Sequence, residues 1–283
     1  MTAPLSVAKL KNLVRLVASG NVVPIVGEDF LTIETPEGPR RLGEVLAERL
    51  KSSLGLEPED GATLSDVAAA FLKNDRSQTI HGVREELATI VKEEAATWVP
   101  AEPLRQLASI DAFNLFLTTG LDPLLAGALR AARRVEPAIG AFTSDAKEKD
   151  LPYGWSGTSP LVYHLFGAAS NPSSIFAVTE EETLEGLLLL NQCSPERLMD
   201  KLRTSHLLLL GCRFPDGLSR LFLRIARGKR LDDRRGETEL IAGADETDAL
   251  LVRFLARFSK HTEVLPVTAS TLVAALAGIW RDK

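Results

Sequence analysis

The chain has little cysteine and no arrangement of cysteines that could bind zinc. Its 283 residues include only two cysteines, Cys193 and Cys212, and they do not form a Cys-x-x-Cys pair. A structural zinc site needs four close ligands, so the sequence predicts no metal site. Few cysteines are also typical of proteins from a reducing compartment.

Long apolar runs and uninterrupted basic runs are missing as well. No apolar stretch reaches the roughly 18 residues that a membrane span needs. The N-terminal segment carries Lys9 and Lys11 where a signal peptide would have its apolar centre. The formal net charge is −5, and two aspartates interrupt the basic cluster between residues 229 and 235. We therefore expect a cytoplasmic protein that binds neither a membrane nor nucleic acid.

Short apolar segments alternate with amphipathic ones along most of the chain. Hydrophobic residues make up 45% of the sequence and charged residues 25%, as in ordinary globular proteins. Strands are predicted at 22–26, 113–118, 137–142, 161–165, 175–177, 206–210, 239–242 and 262–265. Helices are predicted at 4–19, 122–133, 180–191, 195–203, 217–226, 246–257 and 269–281. Alternating strands and helices predict an α/β fold with a Rossmann-like, mostly parallel sheet and helices on both faces.

The segment between the first two strands of this sheet is different. Residues 28–40 contain proline, glycine and threonine in a pattern that predicts a small hairpin or an excursion of the chain. Residues 41–110 carry apolar side chains at three- and four-residue spacing, which predicts a helical insertion or cap. Thr63 and Asp66 form a candidate cap for one of these helices.

The ends of four predicted strands carry the candidate binding residues, because ligands of open parallel sheets bind at the carboxyl ends of the strands. These residues are Gly27, Glu28, Asp29, Phe30, Thr118, Thr119, Asp122, Gly167, Gly211 and Asp216. The glycines either let a pyrophosphate approach the backbone or simply permit tight turns. The carboxylates of Glu28 and Asp29 would repel a phosphate but could bind ribose hydroxyls.

Several of these side chains also have a purely structural interpretation. Asp122 can cap the helix that follows it, which does not exclude a ligand role. His164 is either a packed strand residue or a base, and it would project from the same strand face as Phe166. Cys212 is better explained as an inert buried thiol than as a nucleophile. Arg213 could meet a phosphate.

Five segments, in this order, resemble the bacterial sirtuin-like domain family. They are GNVVPIVGEDF, FLTTGLDPLL, LVYHLFG, FAVTEEE and LLLLGCRFPDGLSRLFLR, and the last is the most specific. The resemblance implies one sirtuin-like domain over 1–283, with the cap at about 41–110, that binds NAD or ADP-ribose. It also implies bacterial antiviral defence, a fused or separate effector domain of the TIR type, and assembly into a homo-oligomer. The four-cysteine zinc module of the protein-deacylating relatives is absent.

The sequence departs from the family where active members cleave the nicotinamide–ribose bond. The first loop usually reads Gly-Ala-Gly-x-Ser, and residues 27–31 keep only the first glycine. Gly120 stands where the family has an asparagine, and Phe166 where it has a histidine, whereas Thr118, Thr119 and Asp122 match. Neither replacement can hold a water or exchange a proton, so the resemblance implies a pseudoenzyme.

Three hypotheses remain open at this point. The chain is a degenerate sirtuin-like module that binds a nucleotide or serves in sensing and assembly, with little catalysis. Alternatively, it is an active NAD glycohydrolase that uses Asp122 and His164, or an oligomerisation scaffold without a ligand. The double change Gly120→Asn with Phe166→His should leave the fold intact if the site is open.

Overall fold

The fold centres on a seven-stranded parallel sheet. The computed structural model describes residues 7–56, 61–74, 77–143, 150–169, 175–212, 218–228, 238–242 and 262–282. The strands in these residues are β1 Val22–Val26, β2 Thr32–Thr35, β3 Gly38–Arg41, β4 Leu115–Thr118, β5 Ala138–Ala141, β6 Leu161–His164, β7 His206–Leu210, β8 Glu239–Ala242 and β9 Thr262–Val264. The large sheet has the order β5-β6-β4-β1-β7-β8-β9, and its strand pairs are parallel. The predicted Rossmann-like α/β class is confirmed.

Helices cover both faces of this sheet. They are α1 Val7–Ala18, α2 Leu42–Ser53, α3 Leu64–Asn74, α4 Ile80–Glu94, α5 Glu102–Ser109, α6 Leu124–Arg133, α7 Glu180–Cys193, α8 Glu196–Thr204, α9 Leu218–Arg227 and α10 Ala269–Arg281. One face packs in a hydrophobic cluster with α1 to α6 and α10. The other packs with α7, α8 and α9. Burial of both faces explains why the strands are almost wholly apolar.

The insertion between β1 and β4 contains the predicted hairpin and helices. β2 and β3 pair as an antiparallel hairpin, and α2, α3 and α4 pack on one another. Thr63 and Asp66 cap α3 reciprocally, since each accepts the backbone N–H of the other. Helix α5 packs instead against α6 and α10, beside the sheet. The apolar side chains of α2 to α4 belong to the same cluster as one face of the sheet.

One predicted strand is wrong. Residues 175–177 form no strand, and Ala177 N–H donates to the Phe166 carbonyl, 2.8 Å away, in the loop after β6. Both edges of β6, the strand that precedes this segment, are already paired with β4 and β5, so the segment cannot pair with β6. The helix predicted at 246–257 lies outside the described residues.

Candidate functional site

The carboxyl ends of β1 and β7 meet at two glycines that leave no room for a side chain. Gly27 N–H donates to the Leu210 carbonyl at 2.9 Å. A Cβ atom on Gly27 would lie 2.2 Å from the Gly211 carbonyl oxygen and 2.3 Å from the Cys212 Cα. Gly211 has a φ of +60°, in the left-handed region that favours glycine. The chain's own backbone therefore occupies the space beside Gly27, as the tight-turn interpretation requires.

The three residues after Gly27 form a short 3-10 turn, and each of their side chains lies in a different environment. Glu28 lines a crevice above the sheet. The Asp29 carboxylate pairs with Arg41 of the hairpin, with 3.3 Å between Oδ1 and Nε. Phe30 is buried in the core. Of these three candidate ligand residues, only Glu28 lines the crevice.

The end of β4 carries two threonines and a buried aspartate. Thr118 is buried and its Oγ1 accepts the Gly120 N–H at 3.0 Å, whereas Thr119 lines the crevice. Asp122 Oδ1 accepts the N–H of Leu124, the first residue of α6, at 2.9 Å. This bond supports the capping interpretation. Burial raises the pKa of the Asp122 carboxyl to about 6.

The histidine at the end of β6 lies against the loop that follows β4. His164 is buried, and its Nδ1 lies 2.8 Å from the Gly120 carbonyl oxygen, which can only accept a hydrogen bond. The neutral ring with its proton on Nδ1 satisfies this contact, and burial lowers the pKa of His164. Neither His164 nor Asp122 is among the residues that line the crevice.

Phe166 is not on the strand face expected for it. Strand β6 ends at His164, so the alternation of side chains stops there, and Phe166 packs in the cluster of Tyr163 and Leu165. A Cβ on Gly186 of α7 would lie 3.0 Å from the Phe166 ring. Gly167 has a φ of +84°, and a Cβ there would lie 2.3 Å from the Ile175 carbonyl oxygen.

The position of Gly120 is not open. A Cβ atom there would lie 2.3 Å from Leu31 Cδ1 and 2.9 Å from Asp122 Oδ2. An asparagine at this position therefore requires both side chains to move, so Gly120→Asn is not the neutral change expected from the sequence.

The crevice itself joins four strand ends to two helix starts. It has a volume of about 200 Å³. Glu28, Thr119, Phe166 and Cys212 follow β1, β4, β6 and β7, and the remaining lining comes from residues 63–65, 177–180 and Thr183. No lysine, arginine or histidine is among the described residues that line it. Its polar groups are mainly hydroxyls and the carboxylates of Glu28 and Glu180.

Contacts between the cap and α7 close one side of this crevice. Glu180 N–H donates to Ser65 Oγ at 3.4 Å, and Arg84 Nε donates to the Phe176 carbonyl at 3.0 Å. Arg84 also forms an ion pair with Glu182. Thr179 and Glu182 form a capping box at the start of α7. The pattern Thr-x-x-Glu could have revealed this crevice-lining turn in the sequence, where it was missed.

The thiol of Cys212 is inert where it lies. It lines the crevice, and its Sγ donates to the Ile25 carbonyl at 3.3 Å. Burial raises the pKa of Cys212 to about 12, so the thiolate is not formed near neutral pH.

The structure brings most of the predicted site residues to one end of the sheet. Gly27 and Gly211 touch, Thr118, Thr119 and Asp122 follow the adjoining strand β4, and Gly167 follows β6, next to β4. Glu28 and Thr119 line the crevice, whereas Asp29, Phe30, Thr118 and Asp122 are engaged elsewhere. Arg213 and Asp216 lie outside the described residues.

Among the residues that the structure describes, no group of three or more histidine, cysteine, aspartate or glutamate side chains is arranged to hold a metal ion. None of the helices there has the length and apolar character needed to cross a membrane.

Comparison with known proteins identifies the family. A SIR2-like domain model matches residues 114–260, just over half of the chain, from the start of β4 onwards. No curated protein shows significant similarity to the chain. SIR2-like domains are NAD-related, which agrees with a strand-end crevice of this kind. The chain therefore belongs to the SIR2-like domain family.

Proposed function

We propose that this chain is a nucleotide-binding module that holds NAD or ADP-ribose in the strand-end crevice and hydrolyses NAD little or not at all. The observation that carries the proposal is the convergence of four strand ends on one crevice beside β1. The strand order changes direction at β1, and ligands of open α/β sheets bind at such switch points.

The lining of the crevice suits the sugar part of such a ligand. Thr119 and Thr183 supply hydroxyls, and Glu28 and Glu180 supply carboxylates that can accept hydrogen bonds from ribose. Phe166 supplies an apolar wall. The volume of about 200 Å³ lies below the roughly 300–1,000 Å³ of typical ligand sites, so a dinucleotide would have to extend beyond it.

The side chains that the family uses to hydrolyse NAD are replaced in this chain. Gly120 and Phe166 stand where the family has its asparagine and histidine, and neither can position water or accept a proton. Loss of one such group typically lowers a rate by a factor of about 100 or more.

The alternative of a glycohydrolase based on Asp122 and His164 is less favoured. Asp122 is held by the Leu124 N–H, and His164 by the Gly120 carbonyl. Both are buried and neither lines the crevice, so a substrate in the crevice would not touch them.

A module that binds NAD or ADP-ribose without hydrolysing NAD would serve in sensing or assembly rather than in catalysis. In this role the module would change its packing or its partners when the nucleotide binds. A TIR-type effector domain, fused or separate, in a bacterial defence protein is the partner that the family resemblance implies.

Calorimetric titration with NAD and with ADP-ribose, alongside chromatographic detection of nicotinamide, tests this function. We expect binding of at least one of the two and nicotinamide release near the uncatalysed background. Robust release by the unmodified chain, lost in His164→Ala, would contradict the proposal and establish the glycohydrolase.

A further inference from the structure

A second cavity lies at the opposite end of the sheet from the crevice. It has a volume of about 210 Å³, and Val22, Val23 and Leu115 at the amino ends of β1 and β4 form an apolar wall. Asn114, Trp155, Ser156, Arg197 and Lys201 supply its aromatic and polar lining. We call it the amino-end cavity. Nothing in the proposed nucleotide function uses it.

The loop that carries Trp155 is fixed in place by an arginine. Arg197 Nη1 donates to the carbonyls of Leu151 and Pro152 at 3.0 and 3.2 Å, and its Nη2 donates to the Trp155 carbonyl at 3.2 Å. The indole Nε1 of Trp155 donates to the Ser159 carbonyl at 2.8 Å. The aromatic side of the cavity is therefore built before any ligand arrives, which lowers the entropy lost on binding.

The cavity carries positive charge that no lining carboxylate balances. Arg197 and Lys201 are four residues apart on α8 and so lie on the same side of the helix, where two like charges repel each other. The Arg197 guanidinium meets carbonyls, as described above. No ion pair or hydrogen bond joins the half-buried Lys201 ammonium to any described residue. No aspartate or glutamate is among the described lining residues.

From these features we propose that the amino-end cavity binds a small aromatic carboxylate. The ring would pack against the apolar wall and Trp155, and the carboxylate would meet Lys201. Asn114 and Ser156 can donate further hydrogen bonds to it. The apolar wall favours an organic anion over inorganic phosphate, because a bare phosphate would gain nothing from it.

Calorimetry with benzoate tests the site, with benzamide as a neutral ligand of the same shape. We expect benzoate to bind with a dissociation constant of about 1 mM or tighter, which is reasonable for so small a ligand. Benzamide and inorganic phosphate should bind about tenfold more weakly or not at all. The intrinsic fluorescence should change on benzoate binding in the unmodified chain but not in Trp155→Phe.

Variants of Lys201 distinguish specific binding of benzoate in the amino-end cavity from nonspecific electrostatic attraction to the protein. Lys201→Met should weaken benzoate binding about tenfold or more, the loss expected for one charge-assisted contact, and Lys201→Arg should retain most of it. Lys92→Met, an exposed change on α4, should have no effect. Absence of benzoate binding, equal binding of benzamide or phosphate, or equal affinity in Lys201→Met would overturn the proposal. None of these outcomes depends on NAD or ADP-ribose.

Discussion

At the scale of single residues, the backbone after β1 lies very close to the backbone after β7, at the end of the sheet that carries the crevice. The ends of β1 and β7 lie so close that a Cβ atom on Gly27 would clash with the Gly211 carbonyl oxygen, and a Cβ atom on Gly211 would lie 2.7 Å from the backbone nitrogen of Phe30. The sequence identified both glycines, but it left open whether they admit a phosphate or a tight turn. Only the distance between two segments about 180 residues apart could decide this, and that distance depends on the assembled sheet.

Replacement of Gly27 by alanine is expected to destabilise the fold by about 2–4 kcal/mol, because the clashing atoms belong to backbone that cannot rotate away. Urea unfolding measures the change. The matched control is Gly127→Ala in α6, where a Cβ meets nothing within 4 Å and alanine should stabilise the helix by about 0.5–1 kcal/mol. A tolerated Gly27→Ala would show that the two strand ends are not packed in this way.

Asp122 makes the stability of the fold depend on pH. Its pKa is raised from 3.8 to about 6 by burial, so the folded state binds the proton more tightly than the unfolded state. The ionised carboxylate therefore lowers stability above about pH 6. As the pH falls from about 6 to about 4, this penalty disappears.

Asp122→Asn should be more stable than the unmodified chain at pH 8, by up to about 3 kcal/mol, because it removes the buried charge and keeps an acceptor for the Leu124 N–H. The difference should shrink as the pH falls and vanish near pH 4. Denaturant titrations at several pH values measure it. A gain in stability that does not depend on pH would refute the assignment of a raised pKa to Asp122.

At the scale of helices and strands, the local sequence pattern predicted the limits of an element correctly where that element is apolar or amphipathic and is flanked by turn residues. The limits of β1, β7, β8 and α10 agree with the prediction, since each is a compact apolar or amphipathic segment next to turn residues. Pro24 lies inside β1, a central strand, where proline is unusual. It is tolerated because the pairing of β1 with β4 begins only at Ile25.

Local pattern failed where tertiary contacts decide the outcome. The segment at 175–177 is apolar enough for a strand, but no strand edge is free beside β6. His164 gains its partner, the Gly120 carbonyl, from 44 residues away, and no local signal in the sequence predicts that bond.

The start of α7 is the element whose loss should affect the crevice most directly. Thr179→Ala removes the acceptor of the Glu182 N–H in the capping box and should cost about 1 kcal/mol. Hydrogen exchange at the first turn of α7 should accelerate, because that turn loses its cap.

Thr89→Ala on α4 is the control for this change. The Thr89 hydroxyl donates to the Glu85 carbonyl within its own helix, so its loss should be nearly neutral. If Thr179→Ala left both the stability and the exchange of α7 unchanged, the capping box would not be holding this wall of the crevice.

At the scale of the whole molecule, the order of the strands was beyond sequence reasoning. Alternating strands and helices predicted a parallel sheet, but they did not show that β1 lies between β4 and β7. That order brings residues from distant parts of the chain to one crevice. The contacts of Ser65 and Arg84 with the α7 region likewise exist only after the cap has docked.

The most direct test of the central claim is calorimetric titration of ADP-ribose and NAD into the unmodified chain, Thr119→Tyr and Thr97→Tyr. Thr119 lines the crevice, so a tyrosine there should fill much of its 200 Å³, whereas Thr97 is exposed outside it. We predict that the unmodified chain and Thr97→Tyr bind at least one of the two nucleotides equally well, and that Thr119→Tyr binds it about tenfold or more weakly. Absence of binding to the unmodified chain, or equal binding by Thr119→Tyr, would contradict a nucleotide site in this crevice.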